Sequence, residues 1–250
     1  PFDPDEALSL AGIMLFTSLV QFLYILLSRL IFGTEHPIDR FAVIFNNKAF
    51  VGIPIATAFF GPKCAFYIAP SVVMSNLLII LYGSRLLDPN ASKSLPSVKS
   101  IVKQPIFLSF VGGWLFYLLQ VPVPEIVLRP ISALVAINSP LAMIILGAFI
   151  AAKPLSGLFK TKRVWFVAFI RLVVLPIVPL VLLILFPFGS VELRMVTVVA
   201  WSCPTANNLA MQTKIYHLDT YYASQIIVVT CLGCAVTIPF IMMLARLWIH

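Results

Sequence analysis

Long apolar runs separated by short polar stretches fill this chain. Eight segments approach or exceed the roughly 20 apolar residues that a helix needs to cross a hydrocarbon core. They cover 7–32, 39–60, 64–87, 101–120, 130–152, 162–187, 190–215 and 219–249. None alternates apolar and polar positions with period two, so a transmembrane barrel is a poor fit. All nine acidic residues, from Asp3 to Asp219, fall at segment ends or in connections. Asp39 and Asp219 stand where helix N-caps are wanted. The pattern predicts an all-α integral membrane protein with about eight spans.

Two segments carry a helix breaker. The second contains F-N-N-K-A-F-V-G-I-P, from Phe45 to Pro54, and the seventh contains C-P-T-A-N-N-L-A, from Cys203 to Ala210. Pro54 follows Asp39 by 15 residues and Pro204 follows Ser190 by 14. At 1.5 Å per residue each break lies roughly 21–23 Å from the start of its own span. With tilt, both fall near the middle of the bilayer. Each broken segment sits between two whole ones, and the two run in opposite senses, so spans 1–3 and 6–8 read as an inverted repeat. Spans 4 and 5 precede the second triplet. Symmetry then predicts two further helices upstream of Pro1 and a five-plus-five architecture. The opening Pro1-Phe2-Asp3, without a basic n-region, is expected to continue from an upstream segment.

Composition agrees with burial in lipid. The chain is 61% hydrophobic and 10% charged, with a mean hydropathy of +1.04. A soluble enzyme, a nucleic-acid-binding domain and a disordered chain are excluded on that ground. The net charge of +8 therefore bears on orientation. Eleven of the 17 Lys and Arg residues lie on the side of the 1–2, 3–4, 5–6 and 7–8 connections, and four (Lys63, Arg129, Arg194, Arg246) lie on the other. The basic side is expected in the cytoplasm, which places both termini outside. The polar stretch 88–100 reads as a cytoplasmic linker. Cys64, Cys203, Cys231 and Cys234 read as packing residues, with no metal or cofactor site implied.

The breaks hold the candidate chemistry. A helix interrupted in lipid exposes unpaired amides on one half and unpaired carbonyls on the other. Such backbone is tolerated where it lines a cavity or meets a ligand, and positive helix ends hold anions. The bland alternative is a pair of proline kinks healed by neighbours. Asn46, Asn47, Asn207 and Asn208 offer uncharged donors and acceptors, for a substrate or for capping alone. Gly52, Pro54, Pro204 and Thr205 belong to the same two motifs. Lys48 lies nine residues beyond Asp39, about 13 Å deep, and Arg171 lies eight beyond Arg163, about 12 Å deep. No acid occurs within any span to pair with them. Their partners are then carbonyl ends of the broken helices, water or an anionic substrate; for Lys48, snorkelling or capping is equally open, and for Arg171 a structural role is favoured. Gln21, Ser75, Asn76, Asn138, Ser139, Gln212, Ser224, Gln225 and Thr230 are weaker candidates for lining a pathway or bridging helices. An apolar substrate body would find Phe50, Met74 or Met211.

These motifs, together with N-S-P-L-A-M-I-I-L-G-A (138–148), R-L-V-V-L-P (171–176) and T-I-P (237–239), resemble the auxin efflux carrier family. That family includes plant auxin carriers and bacterial permeases for small organic acids. The resemblance implies a fold like the bile-acid sodium symporters, with two crossing broken helices between which substrate binds. It also implies a homodimer joined through a scaffold. Here 1–87 and 153–250 would form the two halves of a transport domain, and 101–152 scaffold helices. The expected function is secondary transport of a small organic anion across the plasma or inner membrane, by elevator-like alternating access. An anion channel and a substrate-sensing receptor are the competing readings. Enzyme activity is not expected, because no paired carboxylates, Ser/His pair or metal cluster occurs within the spans.

Overall fold

The computed structural model describes residues 4–88, 103, 105–151 and 161–249. Beyond residue 88, the expected linker over 88–100 lies outside the described residues. The protein is an all-α membrane protein. Helix α1 spans Pro4–Phe32, and Gly33 in the left-handed region (φ 68°) closes it by donating its N–H to the Arg29 carbonyl at 3.0 Å. Helix α2 is short, Pro37–Ile44, with Pro37 in its first turn. The chain resumes as α3, Lys48–Phe60, and α4, Cys64–Leu87. Then come α5, Pro105–Leu119, and α6, Glu125–Ala151. Helix α7 covers Lys162–Leu185. A second short pair follows, α8 (Val191–Trp201) and α9 (Asn208–Ile215). Helix α10, Thr220–Trp248, ends the described chain.

Among the described residues four stretches are long and apolar enough to cross a membrane, Leu8–Phe32, Cys64–Leu87, Lys162–Leu185 and Thr220–Trp248. The expected spans 39–60 and 190–215 are each divided into two half-length helices. The expected span 101–120 is a 15-residue helix, roughly 22 Å long at 1.5 Å per residue and shorter than a hydrocarbon core.

Packing assembles the halves around the short helices. Helix α1 packs on α2 and α4, while α10 packs on α7, α8 and α9. Helix α8 also lies against α3 and α4, so the N-terminal and C-terminal groups interlock. The core between them is apolar and tight: Phe41 to Phe45, Val198 and Trp201 are all fully buried. Outside, α5 and α6 carry large exposed apolar side chains such as Leu115, Phe116, Leu134 and Ile144, a surface that lipid covers.

The N-caps follow the sequence in part. Asp219 caps α10 by accepting from Tyr222 N at 2.9 Å, and Ser190 caps α8 by accepting from Leu193 N at 3.1 Å. Asp39 does not cap α2; it lies inside the first turn and His36 holds the cap position. Its carboxylate is buried and paired instead, to Arg163 of α7 at 2.6 Å and to the Tyr222 hydroxyl of α10 at 2.6 Å. A long-range cation drew the acid inward, which sequence spacing could not reveal. Asp39 thus ties the starts of three helices from both ends of the chain. Arg163 is partly exposed, so solvent screens the pair. Asp39→Asn should cost about 1–2 kcal/mol, read as a fall of roughly 2–8 °C in Tm in detergent.

Candidate functional site

The two interruptions meet. Residues Phe45–Asn47 and Ser202–Asn207 leave the helical path, and Asn46 and Thr205 pair as an antiparallel bridge. Asn47 N donates to the Pro204 carbonyl at 2.8 Å, and Ala206 N donates to the Phe45 carbonyl at 3.0 Å. The first break therefore lies at Asn46, not at Pro54. Pro54 sits in the first turn of the α-helical part of α3, directly after a widened π-turn over Lys48–Gly52. A proline ring crowds the carbonyl four residues earlier and offers no N–H. Widening the preceding turn relieves both problems without breaking the helix. The same device recurs in α7, where a π-turn over Ile170–Val174 precedes Pro176.

The carbonyl ends of α2 and α8 are closed by protein. Thr205 Oγ1 donates to the Ala42 carbonyl at 3.0 Å, and Gln21 Nε2 donates to the Ile44 carbonyl at 3.2 Å. Asn46 Nδ2 donates to the Ala200 carbonyl at 2.7 Å. Arg171 serves both ends at once. It donates to Val43 O at 3.0 Å through Nη1, to Trp201 O at 2.8 Å through Nη2, and to Cys203 O at 3.1 and 2.9 Å through Nε and Nη2. The residue is fully buried. A planar fork of five donors suits this task, and its charge offsets two converging negative helix ends. Of the expected partners for Arg171, the structure selects the carbonyl ends.

The amide ends of α3 and α9 face a cavity instead. Its volume is roughly 230 Å³, and it is lined by Asn46, Asn47, Lys48, Ala49, Phe50, Ala206, Asn207 and Asn208, with Val72, Ser75, Asn76 and Ile79 of α4. First-turn amides have no partner inside their own helix. Asn47 Oδ1 accepts one of them, Phe50 N, at 3.3 Å; Asn207 caps α9 with no side-chain hydrogen bond. Among the described residues, Asn46 Oδ1, Asn47 Nδ2 and Asn207 Oδ1 are buried without a hydrogen-bond partner. Unpaired amide atoms of this kind cost about 1–3 kcal/mol each unless a ligand or water meets them.

Lys48 supplies the charge. It is 1% exposed. Its Nζ donates to Ser75 Oγ at 2.8 Å and stands 3.4 Å from the centroid of the Trp201 ring. Ser75 Oγ in turn donates to Gln21 Oε1 at 3.1 Å. Among the described residues no carboxylate lines the cavity.

Of the ten candidate residues, the structure brings Asn46, Asn47, Lys48, Asn207 and Asn208 to the cavity wall. Gly52, Pro54, Pro204, Thr205 and Arg171 do not line it. Gly52 serves helix contact: a Cβ there would stand 2.9 Å from Cys203 Sγ. Phe50 lines the cavity; Met74 and Met211 do not. The side chains of Asn138 and Ser139 lie outside the described residues. Trp201 escaped the sequence reading, because an aromatic in an apolar run carries no positional signal.

Two positive helix ends, one buried ammonium and partnerless amides thus surround one space inside a membrane. A family model described as membrane transport protein, the auxin efflux carrier family domain, matches residues 6–242. The chain belongs to the auxin efflux carrier family. As a membrane transport protein it carries a substrate across the bilayer in which its apolar helices sit. No curated protein matches the chain.

Arg171→Leu would leave the carbonyls of Val43, Trp201 and Cys203 without their donor. A loss of at least about 3 kcal/mol is expected, seen as little or no monodisperse protein on size-exclusion chromatography. Gly52→Ala should lower Tm by several degrees, and adding Cys203→Ala should restore most of the loss by removing the sulfur that the new methyl meets.

Proposed function

We propose that the protein is a secondary carrier of a small organic anion, with its carboxylate held between the two interrupted helices. The observation that carries this reading is the asymmetry of the breaks: the carbonyl ends are closed by Arg171, Gln21, Thr205 and Asn46, while the amide ends open on the Lys48 cavity. Such a site repels cations and offers donors to an anion. In this reading the carboxylate takes the Lys48 ammonium and faces the positive ends of α3 and α9. Asn47 and Asn207 direct it, with Asn46 and Asn208 beside them. Phe50, Val72 and Ile79 receive the apolar body. Pro204, Thr205, Gly52, Pro54 and Arg171 build the frame.

The architecture fits an inverted repeat in which α1–α4 and α7–α10 correspond and their broken members cross. The shared core and the Asp39 tie favour movement of these eight helices as one body, in elevator-like alternating access. Helices α5 and α6 would be the scaffold and a homodimer contact. The basic connections would face the cytoplasm of a plasma or inner membrane, and both termini the outside. Among the described residues neither a carboxylate nor a histidine lines the cavity, which favours transport driven by the gradient and potential of the anion itself. An inside-negative potential acts outward on an anion with about 2.3 kcal/mol per charge per 100 mV.

Uptake of labelled benzoate, succinate and indole-3-acetate into proteoliposomes tests the reading. Flux should saturate and show acceleration by unlabelled anion on the far side. Lys48→Met and Asn47→Ala should each lower it about tenfold or more, as expected for losing a charge-assisted or buried hydrogen bond. Wild-type flux in both variants, or flux that never saturates, would remove the carrier assignment.

A further inference from the structure

We propose that Trp201 is a positioning residue for the anion site: its indole face seats the Lys48 ammonium at the cavity wall, so that a carboxylate meets a fixed cation. The inference rests on the carrier reading and names the residue that sets where the charge stands.

Three observations converge on the ring. First, Lys48 Nζ lies 3.4 Å from the Trp201 ring centroid and 2.8 Å from Ser75 Oγ. The Ser75 hydroxyl hydrogen goes to Gln21 at 3.1 Å, so its oxygen is left as acceptor for the ammonium. An ammonium has three donors; Ser75 takes one, and the negative face of the indole supports the charge from another side. Tryptophan is the strongest of the aromatic side chains in this role, most of all where water is excluded.

Second, the ring itself is held. Trp201 is the last residue of α8 and fully buried. Tyr24 meets it edge-on, with centroids 5.2 Å apart at 81°, and its carbonyl accepts from Arg171 at 2.8 Å. A platform clamped on two sides holds the cation it carries.

Third, the indole N–H has no hydrogen-bond partner among the described residues. A buried tryptophan usually finds one. The polar edge is left unmatched here, while the face is occupied by a cation. Trp201 does not line the cavity, so it acts through Lys48 and not by touching substrate.

The test uses the full chain in proteoliposomes, with benzoate and succinate as probes. Trp201→Leu and Trp201→Phe are compared, each with Lys48 present and in a Lys48→Met background. Expected is a rise in KM of about tenfold for Trp201→Leu with a much smaller change in maximal rate. Trp201→Phe should fall between, since a phenyl ring keeps a weaker face. In the Lys48→Met background the leucine substitution should add nothing further to KM. A packing role alone would reduce folded carrier and maximal rate while shifting KM equally in both backgrounds, and that result would overturn the proposal.

A second measurement leaves Trp201 in place. With Trp114, Trp165 and Trp248 replaced by Phe, the emission of Trp201 should change on adding benzoate and should not do so when Lys48 is Met. A benzoate-transporting protein whose Trp201 emission stays constant would also overturn it. If wild-type protein neither binds nor moves either probe, the carrier reading fails first, and this inference falls with it.

Discussion

Backbone carbonyls at the end of a helix need donors, and in an apolar interior they cannot borrow them from water. The whole arrangement around the two breaks answers that constraint. Helices α2 and α8 stop inside the protein, and their last carbonyls converge. One guanidinium reaches both ends, a glutamine and a threonine take one carbonyl each, and the two extended segments pair with one another. Arg171 is central because its planar fork spans acceptors on two helices, which an ammonium on a flexible stem does not match. The cost of burying its charge is offset by four short hydrogen bonds and by two helix dipoles that point their negative ends at it.

Closing the carbonyl ends has a consequence on the other side of each break. The amide ends of α3 and α9 receive only local acceptors: Asn47 Oδ1 for Phe50 N, and the Ala206 and Asn207 carbonyls for Leu209 N and Ala210 N. One asparagine caps one amide, and the remaining polar atoms of Asn46, Asn47 and Asn207 stay unpaired beside a cavity. Positive potential from two helix starts and from Lys48 accumulates there, with no carboxylate among the described residues of the wall. In a low-dielectric interior such a potential is screened little. The same two interruptions therefore supply the rigid frame and the chemical selectivity, on opposite sides of one crossing.

Part of this was legible along the chain. Two polar, proline-containing motifs inside otherwise apolar segments marked the breaks, because lipid leaves no other reason for paired asparagines at such depth. The two unpaired cations, Lys48 and Arg171, stood out for the same reason. Pro54 misled, since a proline can widen one helical turn instead of ending the helix, and the neighbouring π-turn absorbs it. Asp39 misled as well: N-cap spacing is local, whereas its pairing with Arg163 crosses 124 residues. Trp201 gave no sign of a role beside Lys48 and Ser75 stood only among the weaker pathway candidates, for an aromatic or a serine in a membrane helix is ordinary by itself.

Sequence alone determined the class of the protein, the places of its apolar segments along the chain, and which two of them break. Those properties follow from transfer free energies and helix length, which are additive along the chain. Tertiary structure decided which end of each broken helix is sealed and which stays open, and hence which cation is structural and which faces the cavity. Lys48 and Arg171 are alike in depth, burial and lack of an acidic partner. They differ in what the folded chain places beside them, and that depends on contacts between residues 27 to 128 positions apart.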